Sequence, residues 1–409
     1  MTDIPTVRSL STPEGLADPY AIHERFRQAE RAGLDIGPVV VSYDQVTAAL
    51  GDRSLSSERV DGILGRLDDD QRTACPFVER TLTDIIAFRD PPDHTRLRRL
   101  LAATFTPKMV AHQRTTIERL AASMVESIAD DGEADLFDRV TFPLPAMMVG
   151  AMLGVPEADL ERFQAWALDI VFIVGSGNPT PELAQRANDH FQEMREYFGH
   201  LLAVRREHPT DDLLSAMIAA SDDDDRLSED EIYANATFLM TAGHETATNM
   251  LTNGILALLD HPDQLALLGE RPDLLPAACD EILRYESPVQ MTPRYALSDG
   301  EVLGRQLHAG DAVMLFLGAA NRDPARFERP NDFDIARPNF KHVAFGHGAH
   351  YCLGASLARH ELAAVLSAVF GRLPGLELAI ERSEIDWQPT RDFRGPRALP
   401  VRWTPAGRS

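Results

Sequence analysis

The stretch AFGHGAHYCLGASLAR, Ala344 to Arg359, sets one cysteine among three glycines and two histidines, directly before an apolar run. Three readings compete for Cys352: a metal-bound thiolate, a catalytic nucleophile, or a buried and inert residue. The following LGASLARHELAAVLSAVFG has helical periodicity, so the sulfur stands at the mouth of a helix, where the dipole and free N–H donors favour a thiolate. A nucleophile with His350 as its base lacks an evident third group to orient the histidine. An inert cysteine leaves the glycines unexplained, whereas Gly346, Gly348 and Gly354 permit tight turns and the near approach of a flat ligand.

The rest of the 409-residue chain narrows the choice. Its 44% hydrophobic and 25% charged content is that of an ordinary globular protein. A formal charge of −23 argues against nucleic acid and against an anionic membrane surface as partners. Lys108 and Lys341 are the two lysines; arginine supplies the other basic residues. Cys75, Cys279 and Cys352 are odd in number and far apart, so no disulfide framework and no Cys-x-x-Cys zinc site is expected. The start, MTDIPTVRSL, is not a signal peptide, and no apolar run reaches the ~18 residues a membrane span requires. The expectation is a monomer in a reducing cytoplasm.

Helical periodicity dominates, at about 18–32, 93–104, 107–130, 142–153, 158–174, 181–206, 211–219, 229–259, 262–269, 275–286 and 353–371. Strand-like pieces are short, at 38–43, 294–297 and 312–317. The acidic run SDDDDRL at 221–227 reads as a solvated loop. With no repeat and no linker, residues 1–409 read as one mainly α domain with a small β region. The 229–259 helix opens on a capping-box pattern, Ser228 with Glu231, and ends before His261-Pro262. It is long enough to run through a core, yet its middle reads AGHET, Ala242 to Thr246, and buried polar groups there need partners or a function.

His244-Glu245 begins a His-Glu-x-x-His zinc pattern, but Thr248 stands where the second histidine must be. Glu245 and Thr246 either satisfy neighbouring backbone groups or act on a ligand, and the small pair Ala242-Gly243 favours the ligand. In EILR, Glu281 and Arg284 lie three apart on one helical face and can pair.

Together these stretches resemble the cytochrome P450 superfamily. FGHGAHYCLG (345–354) is similar to its haem signature, Phe-x-x-Gly-x-His/Arg-x-Cys-x-Gly. AGHET is similar to the oxygen-activation stretch of the long central helix, and EILR to Glu-x-x-Arg, in the family's order. The likeness runs from DPPDHTRLRRL (90–100) to near the C-terminus and is to soluble bacterial members. It implies that fold, with haem b between the central helix and the cysteine loop and helix.

The resemblance makes Cys352 the axial ligand of haem iron, with Phe345 beside it and Ala242, Gly243 and Gly354 against the macrocycle. His94, Arg98, Arg294 and His350 map onto the propionate donors. Glu281, Arg284 and Arg337 resemble the structural Glu-Arg-Arg network, while His342 and His347 match no role. Glu245 and Thr246 become the acid–alcohol pair that delivers protons on the oxygen side. The implied activity is oxygen insertion, as hydroxylation or epoxidation, into an apolar small molecule of natural-product metabolism. Ring coupling or desaturation, a peroxide-using relative and a non-turnover haem protein are the alternatives.

No dinucleotide fingerprint or fused redox segment is present, so electrons from NAD(P)H must come through a separate ferredoxin and its reductase. Both proteins being acidic, docking needs a local basic patch, for which Arg98, Arg99, Lys341, Arg359 and His360 are candidates. The loop at 60–90 and the 163–182 region are expected to cover the haem, with Phe77, Phe172, Phe238, Val289, Met291 and Thr292 as pocket candidates. RAGLDIGPVVVSYDQV, 31–46, leaves little room for the family's usual first β-hairpin.

Overall fold

The computed structural model describes residues 4–65, 67–105, 107–175, 180–222, 225–338 and 340–405; at a few helical positions, Phe172 among them, it describes the backbone alone. Every helix expected from periodicity occurs, with ends shifted by two residues at most. Their starts are legible in sequence. Asp18 accepts from the N–H groups of Tyr20 and Ala21 at the head of Pro19–Arg31, and Thr180 caps Pro181–Glu207. At the central helix, Glu229–Asp260, the Ser228 N–H donates to Glu231 (2.8 Å) while the Glu231 N–H donates to the Ser228 hydroxyl (3.2 Å).

The chain falls into two compact units. One comprises residues up to Leu55, Ile117–Leu144 and everything from Thr246 onward; the other comprises Ser56–Thr116 and Pro145–Glu245. The boundary therefore cuts the central helix between Glu245 and Thr246.

The first unit holds most of the β structure. Its main sheet runs Val39–Val40, Ala312–Leu315, Thr292–Ala296 and Leu55–Ser56, with Val39 parallel to Met314 and Arg294 antiparallel to Val313. The expected strand over 38–43 is cut to two residues, and no first hairpin follows it among the described residues. Instead the chain enters a helix, Tyr43–Gly51, whose Tyr43 N–H donates to Asp323 Oδ2 at 2.8 Å. A cap supplied from Asp323, remote in sequence, leaves no local signal.

The second unit is helical apart from one small ladder. The expected loop at 60–90 is instead a set of short helices, Val60–Leu64, Asp69–Ala74 and Pro76–Asp84. Elements this short are held by packing, not propensity: the Phe77 N–H donates to Asn188 Oδ1 (2.9 Å) on Pro181–Glu207. The acidic run is likewise not a plain loop. Ser221–Asp222 pairs with Asp225–Arg226, and Asp225 meets Arg96 at 3.4 Å and Arg99 at 3.6 Å. Residues 176–179 of the expected lid lie outside the described residues.

In the first unit's core, His23 packs between Tyr20 and Phe316, 1% exposed, and neither ring nitrogen has a protein partner. Burial first, then the charges of Arg27, Arg322 and Arg394, lower its pKa to about 3. The unfolded chain therefore binds a proton that the folded chain refuses between about pH 6.5 and 3. Stability is lost as pH falls through that window, by about 2 kcal/mol at pH 5. A H23F variant is expected to flatten the acid limb of thermal stability against pH between 7 and 5; an unaltered limb would remove His23 from the explanation.

Candidate haem-thiolate site

The cysteine loop is a tight turn closed on itself. Gly346 (φ 74°) and Gly348 (φ 69°) take the left-handed conformation that other residues avoid. A single 3-10 turn, Gly348–His350, follows, and the Cys352 N–H donates to the Phe345 carbonyl at 3.0 Å. Both glycines meet the turn's own demand for positive φ. Gly354 has an ordinary φ of −82° and stands just before the helix Ala355–Arg372; a Cβ there would lie 3.9 Å from Cys352 Sγ. Cys352 is exposed, whereas Cys75 and Cys279 are buried, and burial raises the Cys279 thiol to about 12. Of the three sulfurs, Cys352 is the one a ligand can reach.

The central helix shows a second feature. From Met240 to Leu258 its residues are buried except Ala242, Gly243 and Thr246. With the half-buried Phe238 and Leu239 one turn earlier, they form one stripe at spacings of three and four residues. Between Met240 and Leu258 protein atoms cover the other residues and leave this stripe partly accessible. Glu245 and His244 are buried beside it. Gly243 has a further reason to lack a side chain, because a Cβ there would come within 2.8 Å of Val149 Cγ2.

Glu281 and Arg284 are both fully buried on the helix Leu275–Tyr285. Arg284 donates to both carboxylate oxygens at 2.7 Å, and Arg337 Nε lies 3.1 Å from Oε2. The Asp334 N–H adds a bond to Oε1 at 2.9 Å. The spare donors of both guanidinium groups reach carbonyls of Asn321, Glu328, Arg329, Pro330 and Asp332, so the segment 328–337 is pinned to this helix.

Of the remaining candidates, Arg294 is buried in the first unit and donates to the Pro293 carbonyl (2.9 Å), and His350 is half-buried there. His94 and Arg98 share the helix Asp93–Thr104 of the second unit, and burial, then the Arg98 charge, lowers the His94 pKa. Among the pocket candidates, Phe77 and Phe238 are half-buried in the second unit, and Val289 and Thr292 in the first. Met291 is not a lining residue: it is 2% exposed within the cluster of Leu10, Phe26, Val39 and Phe316. The Phe172 side chain lies outside the described residues.

The basic candidates are largely committed elsewhere. Arg359 Nε is 2.7 Å from Asp280, His360 is 3.0 Å from Glu118, and Arg99 meets Asp225. Lys341 is exposed. His342, given no role from sequence, is buried, accepts the Ala344 N–H at Nδ1 (3.2 Å) and places Nε2 3.3 Å from Asp280.

Comparison with known proteins agrees with this geometry. Residues 68–373 match the family model described as Cytochrome P450. The chain belongs to the cytochrome P450 family. It is 38% identical to the cytochrome P450 monooxygenase PikC of Streptomyces venezuelae, over 95% of this chain and 91% of that protein. It is 37% identical to the 6-deoxyerythronolide B hydroxylase of Saccharopolyspora erythraea, over 89% of each. Among solved structures, P450BioI in complex with a hexadec-9Z-enoic acid-ligated acyl carrier protein aligns with a TM-score of 0.86 and 31% identity, covering 96% of this chain and 99% of that one. A cytochrome P450 is an oxidoreductase that carries haem and takes electrons from a reductase partner, and its mainly α fold with a small β region is the one described above. No described helix is long and apolar enough to cross a membrane.

The donor set fits an iron porphyrin. In the first unit the reachable thiol of Cys352 stands on a turn before a helix, and donors suited to carboxylates are present in Arg294 and His350. No described group of three or more His, Cys, Asp or Glu residues is arranged for a protein-only metal site.

Proposed function

We propose that this cytochrome P450 inserts one atom of dioxygen into an apolar small molecule of natural-product metabolism, with Cys352 as the residue that would hold the haem iron. The observation that carries the reading is the presentation of Cys352, exposed on a turn closed by its own N–H bond to Phe345. Bound haem supplies the centre at which dioxygen is reduced and its O–O bond broken. The chain supplies the rest. Cys352 sulfur donates electron density to the iron. Arg294, His350, His94 and Arg98 hold the propionates, and Phe345 packs by the cysteine. The accessible stripe Ala242, Gly243 and Thr246 would line the side on which dioxygen binds; Thr246 Oγ1 would hold a proton there, and buried Glu245 would replenish it. The Glu281–Arg284–Arg337 network keeps the approach to the cysteine turn in place.

Phe77, Phe238, Val289 and Thr292 bound the substrate. Electrons from NAD(P)H enter through a ferredoxin and its reductase, steered by exposed Lys341 more than by the paired Arg359, His360 and Arg99. The reduced carbon-monoxide spectrum is the first measurement: a red-shifted Soret band characteristic of thiolate ligation is expected, and its absence from freshly reduced protein would remove Cys352 as ligand. A screen of macrolactones, steroids and fatty acids for displacement of iron-bound water then tests the substrate class. Reduction by ferredoxin is expected to slow as salt rises.

A further inference from the structure

Glu281 has a neighbour that the Glu-x-x-Arg pattern does not include. Asp280, on the same helix, bonds a different part of the chain. Asp280 Oδ1 accepts from Arg359 Nε at 2.7 Å and lies 3.3 Å from His342 Nε2. Because His342 Nδ1 accepts the Ala344 N–H, the ring proton sits on Nε2 and points at Asp280. Arg359 in turn lays its guanidinium 4.6 Å from the centre of the Phe345 ring. Its Nη1 reaches the Tyr351 hydroxyl at 3.4 Å and the Ala355 carbonyl at 3.3 Å. Asp280 thus joins His342, before the cysteine, to Arg359 on the helix after it, and Arg359 in turn meets Phe345, Tyr351 and Ala355.

We infer that Asp280 is a positioning residue for Cys352, joining the segment before the turn and the helix behind it into one rigid frame that sets how the sulfur is presented. The inference rests on the haem-thiolate reading above. The two adjacent carboxylates act on different segments. Glu281 pins 328–337 leading in, and Asp280 clamps 342–359 around the sulfur. The geometry requires a planar guanidinium, which can stack on Phe345 while it donates edgewise to a carboxylate; an ammonium cannot do both. Asp280 is also the negative charge that balances Arg359, which touches Phe345 and Tyr351 of the cysteine turn, so its removal leaves a positive excess beside that turn that favours the reduced, more electron-rich centre.

The test uses haem-loaded D280N, D280E and R359K beside wild type, reading haem content, the reduced carbon-monoxide spectrum and the midpoint potential. In D280N the potential is expected to move positive and part of the carbon-monoxide band to lose its thiolate position at unchanged haem content, with D280E restoring much of both. R359K, which keeps the charge and loses the stack, is expected to disturb the band with a smaller shift in potential. A purely structural pair would lower thermal stability and leave band and potential alone. D280N with haem content, band and potential all at wild-type values overturns the inference. Should D280N fail to hold haem, R359K decides by the same readouts, and an unaltered band there overturns it equally. A wild-type protein without the thiolate band would instead overturn the haem-thiolate reading itself.

Discussion

Replacing Glu281 with alanine is expected to give a chain that does not accumulate as folded, haem-loaded protein. In the native chain its carboxylate is fully buried and accepts from Arg284 on both oxygens, from Arg337 and from the Asp334 N–H. Alanine leaves both guanidinium groups facing each other with only carbonyl partners. Breaking a buried pair by removing one member costs about 3–5 kcal/mol. Here two cations lose one counter-ion, and the total stability of a domain is about 5–15 kcal/mol. E281Q keeps an acceptor for Asp334 but no charge, so it should fall nearer to alanine than to wild type. The measurement is haem absorbance per protein together with the thermal midpoint. An E281A protein that purifies folded with full haem content would show the network to be dispensable.

Thr246→Ala is expected to separate reductant consumption from product formation. Thr246 lies on the accessible stripe of the central helix, so losing its hydroxyl leaves the core nearly unchanged. Without a hydroxyl to hold a proton, reduced oxygen leaves as hydrogen peroxide. Product per NAD(P)H should fall by about a hundredfold, the lower end of what a positioned proton donor contributes. T246S should retain most coupling. Thr248, two residues on, is 1% exposed and off the stripe, so T248A is the control: stability falls and coupling stays. Peroxide release by T246A at the wild-type level would take the proton-holding role from Thr246.

Much of the architecture was written in local pattern. The central helix carries its own start in Ser228 and Glu231 and its stop in His261-Pro262, and its length follows from them. The Cys352 turn was legible because positive φ at two positions demands glycine. Elements held from a distance were not legible. Tyr43–Gly51 takes a bond at its head from Asp323, and Pro76–Asp84 takes one from Asn188, and neither partner can be read from the short helix itself. The same limit misled the reading of side chains. Met291 looked available for a pocket until Phe26 and Phe316 closed around it. Arg359 and His360 looked like a free basic patch until Asp280 and Glu118 neutralised them.

By itself the sequence determined the helical order, the placing of Cys352 on a glycine turn before a helix and the pairing of Glu281 with Arg284, because each depends on residues within a few positions of one another. Tertiary structure alone decided which central-helix side chains stay accessible, which arginines are spent in ion pairs, and that Asp280 gathers the two flanks of Cys352. Those outcomes depend on which surfaces are covered and which charges meet, and burial and Coulomb energies are set by neighbours distant in the chain.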